Sequence, residues 1–177
     1  KYWHSFGVEP NNSSMRLMFV GTISRSFNFA PIYEAAKIAQ EQGKDWQFII
    51  CGDGDYRKSV EKKCSNLDNV IFPGWVNRDL YADLSRMTHV ALAPYHNELN
   101  FQLNIPNKII DSLMLGKPII APLSGEVESL VNKYECGLIY EENSKISLFE
   151  KISYLADNPK ALKAMALNSK NVYSSMK

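Results

Sequence analysis

Short apolar runs alternate with segments of helical periodicity along most of the chain. The runs are of three to six mostly apolar residues, and each predicts a buried strand: 16–20, 46–51, 70–72, 89–93, 118–121 and 137–140. The intervening segments predict helices at 30–42, 56–64, 80–87, 108–115, 127–132, 146–156 and 161–173. Strands that alternate with helices form parallel sheets covered on both faces. We therefore expect an α/β fold, a doubly wound Rossmann-like parallel sheet of about six strands with helices on both faces.

The first residues do not follow this pattern. Residues 1–14 are interpreted as a linker or arriving segment that ends in turn residues at 10–14, and residues 15–177 as one domain. Tyr2, Trp3 and Phe6 are unusual in a free tail, and they pack either on this domain or on another one. The chain does not begin with Met, so we expect it to be part of a longer protein.

The stretch 104–123 combines a turn, a short helix and a core strand. For the helix at 108–115, Asn107 or Asn104 can act as the N-terminal cap and Pro106 suits the first turn. Gly116 can supply the left-handed residue after the last turn. A loop therefore leads into a helix, and the helix leads into a buried strand.

This helix carries candidate binding chemistry. Lys108 and Asp111 are three residues apart and share one face of the helix. The free N–H groups of a helix start bind phosphate, and a nearby carboxylate can accept hydroxyl groups. The arrangement would suit a phosphorylated sugar compound.

In an open parallel sheet, ligands bind beyond the carboxyl ends of the strands. Glycines cluster at those predicted ends, namely at Gly21, Gly52, Gly54 and Gly74. The loop 95–107 leaves from the same edge and is long for a strand–helix connection, which is typical of functional loops.

Each of these features also has a purely structural explanation. Strand-end glycines suit turns, Lys108 suits a solvated surface, and Asp111 suits the positive end of the helix dipole. Trp75 suits a partly buried loop anchor. From the residues alone, the chemistry indicates a nucleotide- or phosphate-binding domain and leaves these alternatives open.

Composition narrows the class of protein. The formal net charge is +1, so nothing indicates a nucleic-acid partner. The three cysteines have no C-x-x-C spacing and the histidines have no metal-ligand spacing, so we expect neither disulfides nor a metal site. No apolar run approaches the ~20 residues of a membrane-spanning helix.

Four motifs together resemble a known family. They are F-V-G-T-I-S (19–24), F-I-I-C-G-D-G (48–54), N-V-I-F-P-G-W-V (69–76) and I-P-N-K-I-I-D-S-L-M-L-G-K-P-I-I-A (105–121). In this order and spacing they resemble the C-terminal, donor-binding domain of family 4 (group 1) glycosyltransferases, which is one half of a GT-B fold. The resemblance runs from about residue 15 to the end.

The resemblance implies a retaining glycosyltransferase that moves a sugar from a nucleotide-diphosphate sugar to an acceptor, in polysaccharide or lipopolysaccharide assembly. It implies no cofactor and no metal. The expected partners are the nucleotide-sugar donor and an N-terminal domain that would carry the catalytic residues, so this chain alone should be inactive. The implied location is cytoplasmic. Contact with the inner face of the membrane is expected only through the full-length enzyme or a lipid-linked acceptor.

The resemblance also assigns donor-binding residues. Asp111 corresponds to the family acid that accepts both ribose hydroxyls, and the first loop with Gly21 and Thr22 corresponds to the glycine-rich loop near the diphosphate. The helix start at Asn107 and Lys108 would take phosphate oxygens. The base would be held by the backbone of a loop of three residues: Gly74, Trp75 and Val76.

The sequence departs from the family pattern at several positions. Leu103 replaces the acid eight residues before Asp111, which normally touches the donor sugar, and Asp111 itself replaces a glutamate. Thr22, Phe27 and Asn28 stand where the family often has an Arg and a Lys-Gly pair that neutralise the diphosphate. Arg25 or Lys108 could substitute for them.

Two other classes of function remain open. One is half of a nucleotide-sugar epimerase or of a sugar phosphorylase, although the lysine of a phosphorylase cofactor site is missing. The other is a non-catalytic module of the same fold, nucleotide-binding or regulatory, that has lost donor contacts, which the residues at 22, 27 and 103 favour.

Overall fold

The computed structural model describes residues 1–10 and 13–177, so the turn predicted at 10–14 lies partly outside the described residues. In the described chain, the strands are β1 Met15–Val20, β2 Trp46–Cys51, β3 Val70–Gly74, β4 Val90–Leu92, β5 Ile119–Ala121 and β6 Gly137–Ile139. They form one sheet in the order β3-β2-β1-β4-β5-β6, and every neighbouring pair is parallel. The predicted fold class is confirmed.

In the described residues, the α-helices are α1 Ala30–Glu41, α2 Arg57–Lys63, α3 Arg78–Met87, α4 Leu99–Gln102, α5 Asn107–Met114, α6 Glu126–Tyr134, α7 Ser147–Asp157 and α8 Pro159–Ser175, and a short 3-10 helix spans His4–Phe6. Seven of the α-helices correspond to predicted helices, with ends that differ by a few residues. The exception is α4, which lies inside the predicted loop 95–107. Four residues are too few to show a helical period, so the pattern carried no signal for it.

The sheet buries side chains on both faces because alternate strand residues point in opposite directions. On β1, Leu17 and Phe19 join the larger core cluster, whereas Met18 joins a smaller cluster on the other face. The smaller cluster also contains Ile49 of β2 and Ala91 of β4. Both faces are dry, as expected for a doubly wound sheet.

The aromatic residues at the start of the chain pack on this domain. Trp3 is buried in the smaller core cluster, and its indole nitrogen donates to the carbonyl oxygen of Leu80 at 3.1 Å. The hydroxyl of Tyr2 donates to the carbonyl oxygen of Pro73 at 3.1 Å. The segment therefore covers part of the sheet near α3.

Helix α5 begins one residue earlier than predicted. Pro106 occupies the N-cap position with φ −61°, and among the described residues no side chain caps this end. The predicted caps at Asn104 and Asn107 are wrong, because Asn107 is already the first helical residue. At the other end, Gly116 has φ 67° and its N–H donates to Leu113, which confirms the predicted left-handed ending.

Replacing Gly52 with Ala should destabilise the fold strongly. Gly52 has φ 134°, and a Cβ there would overlap the carbonyl oxygen of Gly21. We expect a loss of about 3 kcal/mol or more in the free energy of unfolding, measured by urea denaturation. Gly43→Ala is the matched control, since Gly43 has φ 67° but open space around it, and it should cost only about 1 kcal/mol. Equal losses in the two variants would contradict a close backbone approach at Gly52.

Candidate functional site

A crevice lies where β1, β2 and β3 end. It encloses about 230 Å³ and is lined by Val20, Gly21, Thr22, Gly52, Asp53, Trp75 and Val76. The structure thus brings four of the predicted donor-binding residues together, from two separate loops. The walls consist largely of strand-end backbone, and the Trp75 side chain is 74% exposed at the rim.

Lys108 joins α5 to the end of β1. Its ammonium group donates to the carbonyl oxygen of Val20 and lies 4.7 Å from the ring centroid of Phe19 and 5.6 Å from that of Phe27. A Cβ at Gly21 would come within 2.5 Å of the same nitrogen. Lys108 is therefore not a solvated surface lysine. The contact places the first turn of α5 beside β1, at the point where the strand order reverses between β1 and β4.

The charge of Lys108 is easily lost. Burial lowers the pKa of the ammonium group to about 8, and the nearby charge of Asp111 only partly offsets this effect. At neutral pH the group is still mainly protonated. An anion bound close to Lys108 would favour the charged form further.

Asp111 and Asn107 lie outside the lining of the crevice. Both are exposed, and Asn107 is the first residue of α5. Burial raises the pKa values of Tyr81 and Tyr95 to about 12, and the charge of Asp111 adds to both shifts. The carboxylate of Asp111 is thus close enough to Tyr81, Tyr95 and Lys108 for its charge to act on all three.

Gly74 forms part of the backbone behind the crevice and does not line it. Its carbonyl oxygen accepts a hydrogen bond from the N–H of Gly52 at 2.8 Å. The guanidinium of Arg57 lies 3.3 Å from where a Cβ at Gly74 would be, and its Nε donates to Glu61 at 2.7 Å. Arg57 lies near the candidate base-binding loop, and nothing in its local sequence indicated this.

Asp53 had no predicted role, and Arg25 does not take the role that was predicted for it. Asp53 lines the crevice, and the glycine cluster after β2 was the signal that could have identified it. Arg25, one of the two cations expected to replace the missing family residues, is exposed and lies 5.8 Å from the ring centroid of Tyr56. Neither Arg25 nor Lys108 lines the crevice, and Lys108 is the cation whose nitrogen lies beside Gly21.

Metal-binding clusters and membrane-spanning helices are both absent from residues 1–10 and 13–177. Within these residues, no group of three or more His, Cys, Asp or Glu side chains is arranged to hold a metal ion. In the same part of the chain, no helix has the length and apolar character needed to cross a membrane.

The fold and crevice define a Rossmann-like domain with its site at the carboxyl edge of the sheet. The model of the family "Glycosyl transferases group 1" matches residues 4–172. The chain therefore belongs to the group 1 glycosyltransferases. The resemblance seen in the four motifs is confirmed at this level, and the narrower assignment to family 4 stays a prediction.

Curated relatives are distant and longer. The chain is 22% identical over 157 residues to 2-deoxystreptamine N-acetyl-D-glucosaminyltransferase of Niallia circulans, an alignment that covers 87% of this chain and 39% of the relative. It is 26% identical over 162 residues to the Vi polysaccharide biosynthesis protein VipC/TviE of Salmonella typhi, covering 87% of this chain and 26% of that protein. The chain thus spans well under half the length of these relatives.

Solved structures share the fold. The C-terminal domain of the group 1 family protein LpcC of Francisella tularensis superposes with a TM-score of 0.76 at 17% identity, covering 98% of this chain and 90% of that chain. HepE of Anabaena, in complex with UDP and glucose, superposes with a TM-score of 0.76 at 18% identity, covering 97% of this chain and 46% of that chain. At these identities the likeness shows the fold alone.

The lowered pKa of Lys108 should give a characteristic pH dependence of stability. The unfolded chain holds a proton on this lysine up to about pH 10.5, whereas the folded chain loses it near pH 8. Between these values the unfolded state binds more protons, so Lys108 makes stability rise with pH. Lys108→Met removes this contribution.

We expect the unfolding free energy of the wild type, relative to Lys108→Met, to rise between pH 8 and 10.5, with a slope of up to about 1.4 kcal/mol per pH unit. Urea denaturation at several pH values measures it. Subtracting the unfolding free energy of Lys108→Met from that of the wild type cancels the contributions of tyrosines and cysteines that titrate in the same pH range. Parallel pH profiles for the two proteins would show that Lys108 is not held in a desolvated position.

Proposed function

We propose that this chain is the donor-binding domain of a retaining glycosyltransferase. The full protein would move a sugar from a nucleotide-diphosphate sugar to an acceptor in polysaccharide or lipopolysaccharide assembly. Membership of the group 1 glycosyltransferases supports the reaction class. The relatives are longer than this chain, which supports a second domain that carries acceptor-binding and catalytic residues.

One observation carries the proposal: the contact of Lys108 with the carbonyl oxygen of Val20. It brings a helix start and a cation to the glycine-walled end of β1. Free N–H groups at a helix start and a nearby ammonium group form a site for a diphosphate. Gly21 allows this close approach, because a side chain at that position would displace the ammonium group.

The other residues are assigned by their positions relative to this diphosphate. Trp75 and Val76 would border the base at the far side of the crevice, with Gly74 behind them. Asp111 would accept the ribose hydroxyls, and Thr22 and Asn107 would lie beside the phosphates. HepE of Anabaena has the same fold and forms a complex with UDP and glucose, which supports a nucleotide of this kind.

Catalysis would be electrostatic. The amides of α5 and the Lys108 ammonium group would stabilise the negative charge that develops on the departing diphosphate. These groups supply the positive charge within the chain, so the proposal includes neither a metal nor a cofactor. Closure of the second domain would exclude water from the reacting sugar. Asp111 would anchor the nucleoside and transfer no proton.

A second candidate is a module of the same fold that has lost its donor contacts. Leu103, at the position where the family acid would touch the donor sugar, is 64% exposed and offers no hydrogen-bond acceptor in its side chain. Titration with UDP, GDP and ADP separates the two candidates. Clear binding of one nucleotide supports the donor-binding domain, and no binding of any supports the module.

Replacing Asp111 with Asn should weaken binding of the preferred nucleoside diphosphate by about 1–3 kcal/mol, since a charge-assisted acceptor of the ribose hydroxyls is lost. Isothermal titration calorimetry measures the change. Asp157→Asn is the control, because Asp157 is an exposed acid at the end of α7, and it should leave the affinity unchanged. An unaltered affinity in the Asp111 variant would remove that residue from the site.

A further inference from the structure

Three loops at the carboxyl edge meet at a single carboxylate, that of Glu142 in the loop after β6. Its side chain is 15% exposed. One oxygen accepts hydrogen bonds from Asn28 Nδ2 at 2.9 Å and from His96 Nδ1 at 2.8 Å. The other accepts from the backbone N–H of Asn97 at 2.8 Å. The loops after β1, β4 and β6 are therefore joined by one acidic side chain.

The bonds at Glu142 are those of an ionised acceptor. Burial alone would raise the pKa of this carboxyl group, but the hydrogen bonds from Asn97, Asn28 and His96 outweigh burial, and the pKa is lowered overall. Bonds to a charged acceptor are stronger than bonds between neutral groups. A neutral side chain of the same shape would therefore hold the three donors less firmly.

The loop after β4 is also attached to the loop after β5. Asn97 Nδ2 donates to Ser124 Oγ at 3.0 Å, and the N–H of Ser124 donates back to Asn97 Oδ1 at 2.9 Å. The side chain of Gln102, at the end of α4, donates to the carbonyl oxygen of Asn97 at 3.2 Å. Residues 97–102 are therefore held by the hydrogen bonds of Asn97 with Ser124 and Gln102 as well as by Glu142.

A continuous set of contacts leads from Glu142 to Lys108. Next to Asn28, Phe27 pairs with Tyr95 in an isolated antiparallel bridge, with ring centroids 4.7 Å apart. The Phe27 ring in turn lies 5.6 Å from the Lys108 nitrogen. The charge of Asp111 also acts on Tyr95. The residues that Glu142 holds thus border both charged groups of the candidate donor site.

We propose that Glu142 is a positioning residue for the diphosphate end of the donor site. It holds the loop after β1 against the loop after β4, and so keeps Phe27 over Lys108 and the approach to α5 in one arrangement. The ligand in this proposal is that of the proposed function. The effect of Glu142 on the two loops does not depend on that function. Glu142 itself touches no donor atom in this proposal.

The central test is Glu142→Gln, which keeps the size of the side chain and removes its charge. Glu141→Gln is the matched control, because Glu141 is the exposed neighbour and its hydrogen bonds within the described residues involve only its backbone. Hydrogen exchange of the 177-residue chain is compared for residues 24–30 and 94–103. We expect these amides to exchange about tenfold faster in Glu142→Gln, with β2 unchanged, and no change in Glu141→Gln.

The second measurement is binding by NMR titration. UDP, GDP and ADP are titrated, and the affinity of each is compared with that of the corresponding nucleoside. Glu142→Gln should lower the affinity of the preferred diphosphate roughly five- to tenfold and change that of its nucleoside less than about twofold. A general loss of structure would weaken both ligands together. The split therefore distinguishes positioning of the diphosphate end from simple destabilisation.

Asn28→Ala provides a second variant, since it removes one bond to Glu142 from the other side, together with the bond that Asn28 Oδ1 accepts from the N–H of Ala30 at 3.1 Å. In a double-mutant cycle on diphosphate affinity, the combined loss should be smaller than the product of the single losses, because the two residues act through one contact. If Glu142→Gln does not fold, Asn28→Ala alone must reproduce the split between diphosphate and nucleoside. Independent effects, or equal losses for both ligands, would overturn the proposal.

The outcomes separate this inference from the proposed function. If the wild type binds none of the three nucleotides, the proposed function fails, and the exchange data alone decide whether Glu142 holds the loops. If the wild type binds one nucleotide and Glu142→Gln binds it equally well, only the role of Glu142 is overturned. Unchanged exchange at 24–30 and 94–103 would overturn that role in either case.

Discussion

A buried ammonium group placed against a strand-end carbonyl is the interaction on which the candidate site depends. Lys108 reaches from the first turn of α5 to the carbonyl oxygen of Val20, beside the rings of Phe19 and Phe27. Removing a cation from water is costly, and a carbonyl dipole and aromatic faces offset only part of that cost. The remaining cost appears as the lowered pKa of the lysine. A bound diphosphate would add negative charge beyond that of Asp111.

This interaction also constrains its neighbours. The ammonium group occupies the space next to Gly21, so any side chain at that position would displace it. The carbonyl oxygen of Gly21 in turn leaves no room for a side chain at Gly52. The glycines of two adjacent strands are thus required by close approach, and the crevice wall they form consists of backbone. Such a wall can bind phosphate or a base through backbone groups and does not depend on a particular side chain.

The loops around the candidate donor site are held together by a different type of contact. The loops after β1 and β4 meet at the carboxylate of Glu142, and the loop after β4 also rests on Ser124. None of the described residues that line the crevice is a lysine or arginine. With no cation in the lining, the placement of Lys108 and of the α5 amides gains importance, and the hydrogen bonds at Glu142 would preserve it.

The local pattern of the sequence was sufficient for the fold. Apolar runs and helices of period 3.6 report burial directly, which is why six strands and seven helices were found within a few residues of their ends. Gly116 was identified for the same local reason, since a helix end needs a left-handed residue. The motifs placed Gly21, Thr22, Trp75 and Val76 in one site, and the structure brings these four together. The four-residue α4 is too short to show a helical period. Periodicity also does not report whether a side chain caps α5, and within the described residues none does.

Tertiary structure alone decided the chemistry of the site. The sequence left Lys108 equally suited to a solvated surface and to a site, and only the packing of α5 beside β1 buried its ammonium group. Glu142 lies 114 positions along the chain from Asn28 and 46 from His96, yet its carboxylate binds both. Local periodicity reflects which side of an element is dry, whereas hydrogen bonds between distant loops depend on how whole elements pack. For that reason the chain specified its sheet by itself, and the folded domain specified which charges meet at its edge.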